Sequence, residues 1–210
     1  STDKGLCVAA NGTTYTKEHQ GFLPAIMEKL YNERKMYKGK MIEAQKERQN
    51  VSKLEMPSVA KGGVANKLDK EITKYYNFQL VRKIQLNSCY GALGNEYSRY
   101  YDIDLAEAIT LSGQLIIQFI ANKLNEFLNE TFKTEDYDYV VASDTDSVYL
   151  RCGNLVDKVC LPTNTKQEVV EFLNKASEEI ILPFIEKQYA ELSETMNAMQ
   201  PEVILMVREV

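Results

Sequence analysis

The sequence has a single histidine, His19, and only four cysteines, Cys7, Cys89, Cys152 and Cys160, with no C-x-x-C pair among them. Ligands for a structural zinc site are therefore too few and wrongly spaced. Reduced thiols in a cytoplasmic setting are the simplest expectation. No apolar run reaches the roughly 18 residues that a membrane span needs, and no charged-then-apolar leader opens the chain. A membrane is therefore not an expected partner. Asn11-Gly12-Thr13, Asn50-Val51-Ser52 and Asn129-Glu130-Thr131 match the glycosylation pattern, but without a secretory signal they read as chance. Internal repeats and low-complexity tracts are also lacking. What remains is 210 residues, 44% hydrophobic and 26% charged. That is enough for one or two domains with a sizeable core. The chain opens at Ser1, so a natural N-terminus further upstream is expected.

The net charge of −5 is unevenly distributed. Residues 28–83 hold 14 Lys and Arg against 7 Asp and Glu, a local +7 that leaves −12 on the remainder. A basic stretch on an acidic body is compatible with phosphate binding; the plainer alternative is a solvated helical face of mixed charge.

The order of elements suggests an α+β fold. Leu6–Ala10 and Thr13–Thr16 read as strands joined by a type I′ turn at Asn11-Gly12. A helix with Pro24 in its first turn runs to about Arg48, weakened at Gly39. Residues 50–65, with Pro57, Gly62 and Gly63, read as a loop. A second helix runs from about Asn66 to Tyr90 and ends at Gly91 and Gly94. Asp104-Leu105-Ala106-Glu107 resembles a capping box opening an amphipathic helix. Tyr137–Ser143 and Ser147–Cys152 read as strands flanking Asp144-Thr145-Asp146. Thr165-Lys166-Gln167-Glu168 is a second capping box, and the helix it opens should be kinked or interrupted at Pro183. Residues 203–207 read as a final strand.

Three features bear on chemistry. Asp144 and Asp146, two residues apart at a tight turn, cannot both ionise cheaply without a cation between them, and hard oxygen ligands suit Mg²⁺ or Mn²⁺. The alternative is an ordinary solvated turn. Along a helix, Asn87 lies about 40° from Lys83 and Tyr90 about 20° to the other side. That face presents a cation, an amide and a phenol, able to hold a triphosphate with Lys83 as a phosphate-directed charge. The alternative is a solvent-facing edge with Tyr90 packed as core. Arg34 and Lys38 are i,i+4 neighbours that would face Lys83 if the two long helices form an antiparallel hairpin. The alternative is a surface pair supported by Glu33. Together the features match what nucleotidyl transfer requires: a carboxylate metal site and a cationic clamp for the departing pyrophosphate.

Lys83–Gly91 resembles the K-x-x-x-N-S-x-Y-G motif B of family B DNA polymerases, and Asp144-Thr145-Asp146-Ser147 resembles their D-T-D-S motif C. Tyr90–Asn95, Arg99–Asp102, Ala108-Ile109-Thr110, Gly113-Gln114, Arg34-Lys35 and Lys38-Gly39 extend the likeness over nearly the whole chain. It is particularly similar to the replicative polymerases of T-even-type bacteriophages. The resemblance implies an antiparallel palm sheet with packed helices and a helical-hairpin fingers subdomain. Residues 1–20 would form a palm-edge hairpin, 21–95 the fingers and 96–210 the palm with its catalytic hairpin. It implies Asp146 as principal metal ligand, Asp144 as a weaker one, and two Mg²⁺ or Mn²⁺ ions in the complete enzyme. Arg34, Lys38 and Lys83 would hold the triphosphate of a dNTP, and Asn87 would line its pocket. Tyr90 and Gly91 would meet the primer–template minor groove, Gly91 allowing close approach because it lacks a side chain.

Motif A, D-x-x-S-L-Y-P-S in that family, does not occur in the sequence. By the resemblance it is expected upstream of Ser1, with the exonuclease, while the thumb and a contact for a sliding clamp are expected beyond Val210. The implied setting is the cytoplasm of an infected bacterial host. The chain alone is expected to be inactive in extension. Two other readings stand beside this one: a non-catalytic DNA-binding subunit of a split polymerase, and a haloacid-dehalogenase-like phosphatase, whose D-x-D-x-[TV] motif Asp144–Val148 formally matches.

Overall fold

Leu, Met, Glu, Lys, Arg and Gln dominate residues 22–53, and such side chains lose little freedom in a helix. In the computed structural model, which describes residues 5–53, 57–161, 163–200, 204 and 206, they form α1, Phe22–Lys53. Pro24 sits in its first turn, where a missing N–H costs nothing. The second long helix, α2, spans Ser58–Gly94. The expected loop over 50–65 is thus mostly helix; residues 54–56 lie outside the described residues. Gly62 and Gly63 sit inside α2, and Gly91 does not end it. Pro57 at the N-cap position starts the helix rather than breaking it.

The pairing between the helices runs in opposite directions along the chain. Glu33 meets Arg82 at 3.0 Å and Arg48 meets Asp69 at 3.0 Å, while Tyr37 packs edge-on against Phe78 at 5.1 Å. The two helices are therefore antiparallel. Ala44, Val51 and Leu68 are buried along their seam. Gly62 and Gly63 are exposed on α2, and at about 1 kcal/mol each relative to alanine they weaken the helix without ending it.

Residues 18–103 form one compact unit, and residues 1–17 with 104–210 form the other. In the second unit, β1 (Leu6–Val8) and β2 (Thr14–Thr16) pair antiparallel. Their connection is not the expected two-residue type I′ turn. Gly12 N–H donates to Ala9 O at 3.0 Å, Ala9 N–H donates to Thr13 O at 2.9 Å, and Gly12 alone has positive φ, +86°. This is the three-residue loop whose last position is left-handed and favours glycine. The hairpin is tied to its unit by Ala10 N–H donating to Ser112 Oγ and Asn197 Nδ2 donating to Leu6 O.

Helix α3, Ile103–Phe132, begins one residue before Asp104, so Asp104 lies in the first turn rather than at the expected N-cap. It still places a carboxylate near the positive helix end. Among the described residues α3 is the one helix long and apolar enough, by length and composition, to cross a membrane. In this unit Ile120 and Leu124 pack with Ile185 and Tyr189 as the core. Burial pushes the Tyr189 phenol up to about 12. Lys158, in the short α4 (Gly153–Val159), donates to Phe132 O at 2.7 Å and so covers a free carbonyl where α3 ends.

Strands β3 (Val140–Asp144) and β4 (Ser147–Leu150) form the second antiparallel pair. Helix α5, Lys166–Ala176, opens with the expected capping box: Thr165 Oγ1 accepts from Glu168 N–H while Glu168 Oε2 accepts from Thr165 N–H. Those bonds hold the Glu168 carboxyl below the ordinary value. A five-residue π-helical turn, Ser177–Ile181, precedes α6, Leu182–Thr195. The wide turn, with Leu182 N–H reaching Ser177 O, admits Pro183 without ending the helical path. The expected strand over 203–207 lies outside the described residues except for Ile204 and Met206, which pack on the core. The fold is α+β and rich in helix, with two two-stranded antiparallel sheets among the described residues.

Candidate active site

The acidic tip is built by a register shift. Val140 pairs with Leu150, but Ala142 pairs with Tyr149, leaving Val141 as a bulge. Residues directly opposite each other share a face. Val140, Val148 and Leu150 pack on the core, and Ser143, the partner of Val148, shares their face of the ladder but is exposed near the tip. Asp144 pairs with Ser147 and lies on the other face. Had Val141 paired in its turn, Asp144 would share the face of Val140, turned toward the core.

Thr145 and Asp146 complete the turn. Thr145 has φ of +49°, an uncommon conformation for a β-branched residue and a local store of strain. Its hydroxyl donates to Asp144 Oδ1 at 3.1 Å, and Ser147 Oγ donates to Asp144 O at 3.0 Å. Both aspartates are exposed. Among the described residues neither has a cationic partner. No group of three or more His, Cys, Asp or Glu converges there or elsewhere among the described residues. Two free carboxylates fit Mg²⁺, an ion bound through one or two carboxylates with its remaining positions filled by water and substrate phosphates. Because β4 follows the tip directly and antiparallel, the hairpin is not the end of a parallel strand that the phosphatase motif needs.

The second group of candidates lies on the other unit. Lys83, Asn87 and Tyr90 fall on one uninterrupted helix, α2, and all three are exposed, Tyr90 by 40%. Tyr90 is therefore not a core residue. Glu33, the expected support for the α1 cations, is bound by Arg82 instead. Among the described residues Arg34, Lys38 and Lys83 have no ion-pair partner. The Nε of Arg34 is buried and has no hydrogen-bond partner. The antiparallel pairing puts Arg34 level with Arg82 and Lys83, with Lys38 one turn further along α1. Gly91 has no protein atom within 4 Å of the position a Cβ would take, and its φ is not positive. Neither packing nor backbone geometry in this chain demands glycine there.

The concavity bordered by Glu47, Val51, Val64 and Leu68 lies at the other end of the α1–α2 hairpin. At 1.5 Å per residue, Glu47 is about 20 Å along α1 from Arg34. The bulge at Val141 and the strained Thr145 have no signature in the sequence. Two further amides, Asn125 and Asn129, hold the start of β3; their i,i+4 spacing on an apolar helix was the available signal.

A family model for DNA polymerase family B matches residues 53–191. The DNA-directed DNA polymerase of Enterobacteria phage T4 is 34% identical over 230 aligned residues, covering 93% of this chain and 25% of that protein. The DNA-directed DNA polymerase of Escherichia phage RB69 is 33% identical over 229 residues, covering 95% and 25%. The DNA polymerase alpha catalytic subunit of Leishmania donovani is 28% identical over 145 residues, covering 69% of this chain and 9% of its own. The chain thus spans about a quarter of the length of its phage relatives. The matched segment takes in both the exposed face of α2 and the acidic hairpin tip, and the chain belongs to DNA polymerase family B.

Proposed function

We propose that the chain is the fingers and partial palm of a DNA-directed DNA polymerase, adding dNTPs to a primer 3′ end under the direction of a template. The observation that carries the reading is a pair of charge sets without ion-pair partners among the described residues: the two carboxylates of Asp144 and Asp146 on the β3–β4 tip, and Arg34, Lys38 and Lys83 on α1 and α2. Unpaired carboxylates suit a divalent metal, and unpaired cations suit a polyphosphate.

In this reading Asp146 and Asp144 hold divalent metal, Mg²⁺ or Mn²⁺, with Asp146 the principal ligand. When bound, two such ions would lower the cost of charge on the attacking and leaving oxygens. Lys83 and Lys38 offer point charges to the triphosphate, and the guanidinium of Arg34 offers a planar fork of donors. Asn87 lines the nucleotide pocket. Tyr90 lies under the new base pair, and Gly91 leaves room for its minor-groove edge. The strained Thr145 fixes how the two carboxylates splay, so their geometry is set before substrate arrives. The primer hydroxyl attacks the α-phosphorus and pyrophosphate departs. A further carboxylate is needed from a segment bearing motif A, which these 210 residues do not contain. The exonuclease, thumb and sliding-clamp contact likewise belong to other segments, and the setting is the cytoplasm of an infected bacterium.

The test is primer extension with Mg²⁺, by this chain alone and with a polypeptide bearing motif A. Extension only in the complemented reaction is expected; robust extension by the chain alone would show that the tip needs no outside carboxylate. In the complemented reaction Lys83→Ala should raise the dNTP concentration needed for half-maximal rate while leaving DNA affinity unchanged. Unaltered dNTP kinetics would remove Lys83 from the clamp.

A further inference from the structure

From residue 29 to 42 on α1 and from 72 to 94 on α2 the sequence carries eight Lys and Arg but a single carboxylate, Glu33. Arg34, Lys38 and Lys83 all lie in this stretch. Glu33 adjoins Arg34, and a carboxylate so placed competes with any phosphate for the same cations. The structure gives it another partner. Arg82 Nε–H donates to Glu33 Oε2 at 3.0 Å, with the two side chains 23% and 31% exposed. Arg82 is itself held. Its guanidinium carbon lies 5.0 Å from the centre of the Tyr37 ring and 5.7 Å from that of Phe78, within the range of attraction between a cation and a ring face. Because α1 and α2 are right-handed and antiparallel, one step along each, Glu33 to Arg34 and Arg82 to Lys83, turns about 100° toward the same side of the seam. The Glu33–Arg82 pair thus occupies the seam, and Arg34 and Lys83 emerge together on one side of it.

We propose that Arg82 is a positioning residue for the triphosphate clamp: it holds Glu33 in the seam and so keeps the one nearby carboxylate off Arg34, Lys38 and Lys83. The inference rests on the reading of those three cations as a clamp. Arg82 acts without touching the nucleotide. With its partner removed, Glu33 turns to the cations beside it, and they meet an incoming polyphosphate already partly neutralised. This role accounts for an acid at the centre of a basic surface. Its charge is satisfied within the seam, where it also ties α1 to α2 at the level of the clamp.

A double-mutant cycle separates this role from its rivals. Arg82→Met removes the charge and the donor but keeps an unbranched stem to pack on Tyr37 and Phe78. Glu33→Gln removes the competing charge. The isotopically labelled 210-residue chain, the two single variants and the double variant are titrated with inorganic tripolyphosphate without metal. Affinity is read from amide shifts in α1 and α2. In complemented primer extension, the dNTP concentration for half-maximal rate and the rate at saturation are read separately.

Arg82→Met should weaken tripolyphosphate binding about three- to tenfold, the scale of one unit charge acting on a polyphosphate about 8 Å away in water. It should raise the half-saturating dNTP concentration by a similar factor and leave the saturated rate unchanged. Glu33→Gln should bind at least as tightly as the parent. Adding Glu33→Gln to Arg82→Met should return affinity to within about twofold of the parent. If the double variant stays as weak as Arg82→Met, Arg82 is a direct phosphate ligand or a purely structural strut, and the proposal is overturned. Weaker binding by Glu33→Gln alone would also overturn it, since only a structural pair loses by that change. Lys83→Ala separates the proposal from the reading beneath it. Unchanged tripolyphosphate affinity in Lys83→Ala removes the clamp, and side-chain nitrogen resonances of Arg34, Lys38 and Lys83 in the phosphate-free chain then still decide. At least one should move in Arg82→Met and return in the double variant; if none moves, Arg82 does not keep Glu33 from those cations.

Discussion

Gly91→Ala should stabilise the folded chain, because glycine at this position serves nothing within the protein. The residue lies inside α2 three positions before its last residue, Gly94, and the site of its missing Cβ is open. Alanine is favoured over glycine in a helix interior by about 1 kcal/mol. Fraying near the helix end reduces this, so the expected gain is about 0.5–1 kcal/mol. With a urea slope of about 2 kcal/mol/M, the midpoint should rise by roughly 0.3–0.5 M. Gly12→Ala is the internal control. Its φ of +86° makes the same substitution cost about 1–2 kcal/mol, so the two variants should move in opposite directions. Far-UV circular dichroism through a urea titration reads both. In complemented primer extension, Gly91→Ala should lose activity despite its added stability if, as proposed, the base pair uses the space that the new methyl group would fill. A lower urea midpoint for Gly91→Ala would refute the claim that the space is open; full activity would refute the claim that the space is used.

Thr145→Gly should relieve the strained turn and stabilise the hairpin by about 1 kcal/mol or less, since the Thr145–Asp144 hydrogen bond is lost as the φ penalty is removed; hydrogen exchange at Val148 would measure it, and faster exchange would contradict it. Deleting Val141, the extra residue, should regularise β3–β4 while keeping Ala142 opposite Tyr149 and Asp144 opposite Ser147, so Asp144 stays on the outer face and paramagnetic Mn²⁺ broadening at the tip is retained; lost broadening would contradict the reading that these pairs set its direction. For Glu168 the sign follows from its depressed carboxyl: the stabilisation is fully present above the ordinary glutamate value of about 4.3 and fades as pH falls through the lower, folded value. Thr165→Ala, which removes the reciprocal bond, should cost about 1 kcal/mol at neutral pH and should flatten this acid dependence in a denaturation series.

Where the candidate residues lie was legible because the patterns that mark them are local. Asp144-Thr145-Asp146 sits between two short runs rich in Tyr, Val and Leu, and Lys83, Asn87 and Tyr90 share a helical face by spacing alone. The Thr165 capping box was legible for the same reason, since both of its bonds span three residues. The less legible features were decided by distant partners. Gly62 and Gly63 look like loop residues until α2 packs along α1. Asn11-Gly12 suggests a two-residue turn, but the strands stop at Val8 and Thr14, leaving a longer connection with only Gly12 left-handed. Pro183 signals an interruption, and a π-helical turn absorbs it. The bulge at Val141 was the consequential omission, because no residue there marks it, and alternation counted from Val140 without it would turn Asp144 to the core face.

The central claim is that the β3–β4 tip is a metal site for nucleotidyl transfer. Its most direct test is single-nucleotide primer extension by the chain complemented with a motif A segment, comparing the parent with Asp146→Ala over a range of Mg²⁺ concentrations. The account predicts loss of incorporation by at least about 10³-fold in Asp146→Ala, the scale on which catalytic electrostatic groups act, with DNA affinity retained. Incorporation by Asp146→Ala at the parental rate and the parental Mg²⁺ dependence would contradict it.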